Sequence, residues 1–206
     1  MKKFMGLTDS LALKSLSRTH FFEPRRAHYY DQSEIIPLMQ EGIWQVYRGV
    51  VQLSQLNADG DEVLLAWLHS ESFFGLCLTS YQLEIYQAKA LSPVHLRWYP
   101  LSEIESKPQL AQLILTQTVQ RVRQTETLLV IAGLKRVDRR LQELLKFLAQ
   151  EMGQPIGNGM RLKVRFTHQM LANAIGASRV TITRLLGEFQ NKGWIQFDSD
   201  RHLIVY

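Results

Sequence analysis

The 206-residue chain is 46% hydrophobic and carries a net charge of +5, enough apolar material for two cores of ordinary size. No apolar run is long enough to cross a bilayer and the stretch from Met1 to Ser10 is too polar for a signal peptide, so a cytoplasmic protein without a membrane partner is expected. Its single cysteine, Cys77, excludes an internal disulfide framework, a thiolate zinc site and an iron–sulfur cluster.

Residues 25 to 99 alternate short apolar segments with turn signals, the pattern of an all-β sandwich or barrel. Ile43 to Tyr47 runs through Arg48-Gly49 into Val50 to Leu56. Asn57-Ala58-Asp59-Gly60 then supplies a hairpin before Val63 to Leu68. After Phe73-Phe74-Gly75 comes an irregular piece, followed by strands over Tyr86 to Leu91 and Val94 to Tyr99, with the β-domain closing near Pro100.

Between Pro108 and Leu134 the pattern changes to one long helix, free of Gly and Pro from 109 to 132. Its ends are apolar and its middle is polar, with Val119 and Val122 as the apolar exceptions. The ends are expected to pack on the β-domain and on a symmetry mate. A ligand role for the polar middle and plain solvation both stay open. A second helix starts at Asp138, with Leu141, Leu144, Leu145, Leu148 and Met152 as its apolar stripe. Arg161 to Phe166 reads as a strand, and Trp194 to Phe197 with His202 to Tyr206 as a hairpin around Asp198-Ser199-Asp200-Arg201.

Residues 167 to 197 fit two short helices broken at Gly176 and followed by a strand, a helix-turn-helix with its wing. Leu171, Ala172 and Ile175 share one face of the first helix; Ile182, Leu185, Leu186 and Phe189 share one face of the second. The exposed face of the second helix carries Arg179, Val180, Thr183 and Arg184, directly after Ser178, whose oxygen can cap the first turn. Arginine can donate two bonds to guanine and an apolar group can meet a thymine methyl, so this helix is expected to enter a major groove of double-stranded DNA. Ser178, Thr181, Thr183 and Lys192 are candidates for backbone contacts. His168, beside the expected cap Thr167, is read as surface or phosphate-facing. A helical hairpin in some other domain would explain the spacing alone, but not small Ala172, Gly176 and a basic polar face together.

The charge is partitioned in the same sense. From 139 to 206 ten basic residues face five acidic ones, and the preceding residues hold fourteen of each. A local basic surplus is what attraction to phosphate requires. Nothing points to catalysis, and no catalytic residue is assigned. His20, His28, His69, His95, His168 and His202 lack metal-ligand spacing, and neither a Gly-rich phosphate loop nor a nucleophile elbow occurs. The competing class is a cyclic-nucleotide-binding-like regulatory module without a DNA role.

The order β-roll, long helix, winged helix-turn-helix resembles the CRP/FNR superfamily of bacterial transcription regulators over nearly the whole chain. Asn57 to Val63 looks like the family's mid-roll hairpin, Ser72-Phe73-Phe74-Gly75 like the entry to its ligand cassette, and Gly176 to Arg184 like its recognition segment. Arg179 to Gly187 and Gln124-Thr125-Glu126 are similar to the cyanobacterial nitrogen-regulator branch. The resemblance implies an α+β chain: a jelly-roll effector domain at 1–107, a dimerisation helix at 108–137 and a winged helix-turn-helix at 138–206. It further implies a homodimer that reads a GTA…TAC-type palindrome, works with RNA polymerase and serves as an activator in a nutrient response. The cAMP-receptor branch has an acidic residue where this chain has Val180, so a different half-site is expected.

The effector is not specified. Phe74, Gly75, Leu76, Cys77, Tyr86, Arg121 and Thr125 are the candidate effector-binding residues. Residues 75 to 96 hold no arginine, so a cyclic phosphate such as that of cAMP would lack its charge partner. Glu84 stands where the nitrogen-regulator branch places an arginine for 2-oxoglutarate, and a carboxylate there would repel a dicarboxylate, although Arg121 offers one positive contact. Haem held by Cys77 or a histidine is an alternative, but a lone cysteine in this setting is more often a small buried hydrophobe. No cofactor is assigned.

Overall fold

Alternation of large apolar and polar residues in the N-terminal half builds two antiparallel sheets that face each other. The computed structural model describes residues 27–58, 62–75 and 85–206, so Leu76, Cys77, Glu84 and the tip of the expected hairpin, Asp59 to Asp61, lie outside the described residues. The strands are β1 (His28–Tyr30), β2 (Ile35–Ile36), β3 (Gly42–Arg48), β4 (Val51–Leu56), β5 (Glu62–Leu68), β6 (Phe73–Phe74), β7 (Tyr86–Ala90) and β8 (Val94–Pro100). One sheet has the order β1-β8-β3-β6 and the other β2-β7-β4-β5. Trp44, Val46, Val94 and Leu96 from the first pack on Val51, Leu53, Ala88 and Ala90 from the second. Removing each of these valine and leucine side chains from water contributes about 1.5–3 kcal/mol. The β3–β4 turn requires Gly49: its φ is +96°, and a Cβ there would lie 2.5 Å from the Pro93 carbonyl oxygen.

A six-residue helix, α1 (Leu101–Ser106), leads into α2 (Pro108–Gly133), which starts with proline where the missing N–H costs nothing. Leu110 and Ile114 of α2 close over Ile43, Phe73 and Tyr99 on the outer face of the first sheet. The Tyr99 hydroxyl, buried there, donates to Gln45 at 3.0 Å. Further along, Leu115, Val119, Val122, Leu129 and Val130 of α2 are exposed, Leu129 by 73%. Among the described residues nothing covers these apolar side chains.

The C-terminal part comprises α3 (Val137–Met152), β9 (Gly153–Ile156), β10 (Gly159–Leu162), α4 (His168–Ile175), α5 (Arg179–Asn191), β11 (Ile195–Phe197) and β12 (Leu203–Val205). Its sheet has the order β11-β12-β10-β9. The apolar stripe expected on α3 is buried in full. The strand expected over 161–166 instead ends at Leu162. Beyond it the Lys163 amide bonds to the Met152 carbonyl, and the chain turns toward α4. The two parts are not separate globules: Val50, Trp67 and Leu91 of the roll belong to the same core as α3, α4 and α5. The Trp67 and Phe166 rings meet edge to face, 5.0 Å apart.

Candidate nucleic-acid interface

Two capped helices and a left-handed turn shape the surface at 167–191. Thr167 caps α4, its hydroxyl accepting from the Met170 amide at 3.1 Å. Gly176 ends α4 with φ 59° and ψ 51°, a conformation glycine adopts without steric cost. Ser178 caps α5, accepting from the Thr181 amide at 3.1 Å, and its hydroxyl also bonds that of Thr181 at 2.9 Å. Leu171, Ala172 and Ile175 are buried against Ile182, Leu185, Leu186 and Phe189. Ala172 is fully covered; a larger side chain would force the two helices apart.

With that face buried, α5 turns Arg179, Val180, Thr183 and Arg184 outward, and Val180 is 79% exposed. An apolar side chain this exposed at a helix start is unsupported by packing. The Arg179 guanidinium has no hydrogen-bond or ion-pair partner among the described residues. Arg184 instead pairs with Glu188 one turn further on, a contact worth only about 0.3–0.5 kcal/mol that phosphate or guanine could displace. Glu188 was not singled out from the sequence, although the i, i+4 spacing signals the pair.

His168, the first residue of α4, reaches across to α5, where its Nδ1 lies 2.7 Å from the Thr183 hydroxyl. That hydroxyl donates to the Arg179 carbonyl at 2.9 Å. The Thr183 hydroxyl is thus engaged by both the Arg179 carbonyl and the His168 ring. Burial, with the Arg179 guanidinium beside it, lowers the His168 pKa below its ordinary value. No sequence signal links residues 168 and 183. Lys192 stands apart: it is the C-cap of α5, about 20 Å along the helix from Arg179.

The wing is held by charge. Asp198 accepts from the Arg161 guanidinium at 2.6 Å and from the His202 amide at 2.7 Å. Arg165 donates to the Asp200 carbonyl. Arg201, at the wing tip with φ 60°, is exposed and adds a cation that the sequence reading placed only in the turn.

Of the described effector candidates, two lie side by side on α2. Arg121 and Thr125 share a hollow on α2 with Thr118, Val122, Glu126 and Leu129, and the Thr125 hydroxyl is spent on the Arg121 carbonyl at 3.0 Å. Burial lowers the Arg121 pKa, partly offset by Tyr86. No carboxylate pairs with this guanidinium among the described residues. Phe74 is 1% exposed within the roll core, and Gly75 has φ +89°. Among the described residues no cluster of His, Cys, Asp or Glu could hold a metal ion, and no helix is long and apolar enough to cross a membrane.

Residues 135–206 match the family of Crp-like helix-turn-helix domains. The chain is 33% identical over 168 residues to the global nitrogen regulator of Nostoc sp., covering 78% of this chain and 75% of that one. It is also 33% identical over 174 residues to the regulatory protein CysR of Synechococcus elongatus, covering 83% and 79%. A cyclic nucleotide-binding domain containing protein from Listeria monocytogenes shares the fold, with a TM-score of 0.72 at 18% identity, over 95% of this chain and 96% of that one.

Proposed function

The chain belongs to the CRP/FNR family of DNA-binding transcription regulators, and from that premise we propose that it acts as a homodimer on a palindromic promoter site. The leading turns of α5 carry this reading: Arg179, Val180, Thr183 and Arg184 stand together on its exposed face, cations and a methyl surface where a major-groove helix presents its base contacts. Paired α5 helices would enter successive major grooves about 34 Å apart. Arg179 and Arg184 contact guanine or phosphate and Val180 a thymine methyl. Thr167, His168, Ser178, Thr181 and Lys192 provide backbone contacts.

The exposed apolar residues of α2 support the homodimer. Leu115, Val119, Val122 and Leu129 follow the 4-3-7 spacing of a coiled-coil seam, which a second copy would cover. A small anionic effector fits the guanidinium of Arg121 near Tyr86 and Thr125, since a partly buried cation without a carboxylate partner favours an anion. Likeness to a nitrogen regulator supports a role in a nutrient response in the cytoplasm, as an activator that engages RNA polymerase.

Selection of bound duplexes from a random DNA pool, with and without 2-oxoglutarate, tests target and effector together. A palindrome should emerge. Against that palindrome Arg179→Ala should lose about 1–3 kcal/mol and relax preference at one base pair. Equal weakening on every sequence would make Arg179 a phosphate contact, and failure to enrich any duplex would overturn the reading.

A further inference from the structure

Thr183 stands one turn beyond Val180 on the exposed face of α5, and its hydroxyl is already engaged on both sides. It lies 2.9 Å from the Arg179 carbonyl oxygen and is hydrogen-bonded to His168 Nδ1 at 2.7 Å, so its one proton is held by these two neighbours. A hydroxyl has one proton and two lone pairs, so none is left to donate to a phosphate or to a base acceptor. With the oxygen engaged by its own helix and by α4, the methyl group is the apolar part of this exposed side chain available to a ligand. Residues three apart on a helix are surface neighbours, so Val180 and Thr183 together form a strip of methyl groups flanked by Arg179 and Arg184.

We propose that Thr183 is a specificity determinant that recognises the C5 methyl of a thymine through its own methyl group, and that His168 imposes this role by occupying the hydroxyl. The inference rests on α5 being the helix that enters the major groove. There the thymine methyl is displayed to an approaching side chain, and apolar contact is the way to sense it. A free threonine hydroxyl would rotate to suit a donor or an acceptor; a hydroxyl bonded to both His168 and Arg179 does not. His168 thus acts as a positioning residue, tying α4 to the base-reading surface of α5.

The test uses the full-length protein and the duplex enriched from the random pool, with each thymine replaced in turn by deoxyuridine, which lacks only the methyl. Wild type should lose affinity about fourfold per half-site at each methyl-contacted position, the worth of one buried methyl group. In Thr183→Val, which keeps a methyl surface and discards the hydroxyl, thymine-over-uracil discrimination should survive at every position. In Thr183→Ser, which keeps the hydroxyl and discards the methyl, it should vanish at one position and persist at the position read by Val180. His168→Ala, which releases the hydroxyl, should weaken discrimination at the Thr183 position alone, whatever it does to overall affinity.

Two outcomes overturn the inference while leaving the recognition helix intact: Thr183→Ser still discriminates everywhere, or Thr183→Val binds poorly while Thr183→Ser matches wild type, which would assign the reading to the hydroxyl. Wild type that binds no duplex overturns the recognition-helix reading and this inference with it. Thermal melts of each variant separate a folding defect from a change in recognition.

Discussion

Asp198 organises the wing by joining Arg161 of β10 to the His202 amide across the hairpin. Desolvation raises the Asp198 carboxyl, but the His202 amide and the Arg161 guanidinium outweigh it and hold the pKa below the usual aspartate range. A carboxyl depressed in the folded state adds stability above its unfolded pKa and loses it as pH falls through the folded value. Asp198→Asn should therefore melt below wild type at neutral pH, and the gap should close on acidification through the aspartate range. A gap independent of pH would mean that the carboxylate charge does not matter. At this scale the candidate interface was largely legible. Ser178, Gly176 and the spacing from Arg179 to Phe189 are local signals that agree, and local agreement is what makes a motif readable. The His168–Thr183 bond was not legible, because it depends on how two helices cross.

Helix α2 shows how one element can serve two neighbours. It is about 39 Å long, and its start seals the roll through Leu110 and Ile114 while its middle leaves Val119 and Val122 in water. Light scattering should give twice the chain mass of 23.9 kDa, and Val119→Glu, which sets like charges against each other across a two-fold axis, should give the single mass. A Val119→Glu dimer would mean that another surface holds the copies together. Long, periodic elements such as α2 and α3 were apparent from the sequence, whereas β1, β2 and β6 were not, since two or three residues show no period. The β9 strand escaped because Pro155 reads as a break. It lies at the sheet edge, where a missing N–H leaves no ladder bond unmade.

Across the whole molecule the basic surplus lies entirely from residue 139 onward, on the part that carries α4, α5 and the wing. DNA affinity should fall linearly on a log–log plot against salt, and Arg184→Ala should reduce the slope by about one per half-site if Arg184 meets phosphate. An unchanged slope with altered base preference would assign Arg184 to a base edge. The two-part organisation was visible in the change from strands to helices, but the shared core was not. Val50, Trp67 and Leu91 join it through contacts between residues far apart in sequence. Glu151 of α3 binds the junction further, accepting from Gln124 of α2 and lying 3.5 Å from His69 of the roll.

The indole of Trp67, wedged against Phe166, gives the molecule a built-in optical gauge. Any swing of the DNA-reading head away from the roll must uncover that indole, and water at its edge would redden its emission. With Trp44, Trp98 and Trp194 replaced by phenylalanine, the remaining fluorophore would report any parting of the two, with no added dye.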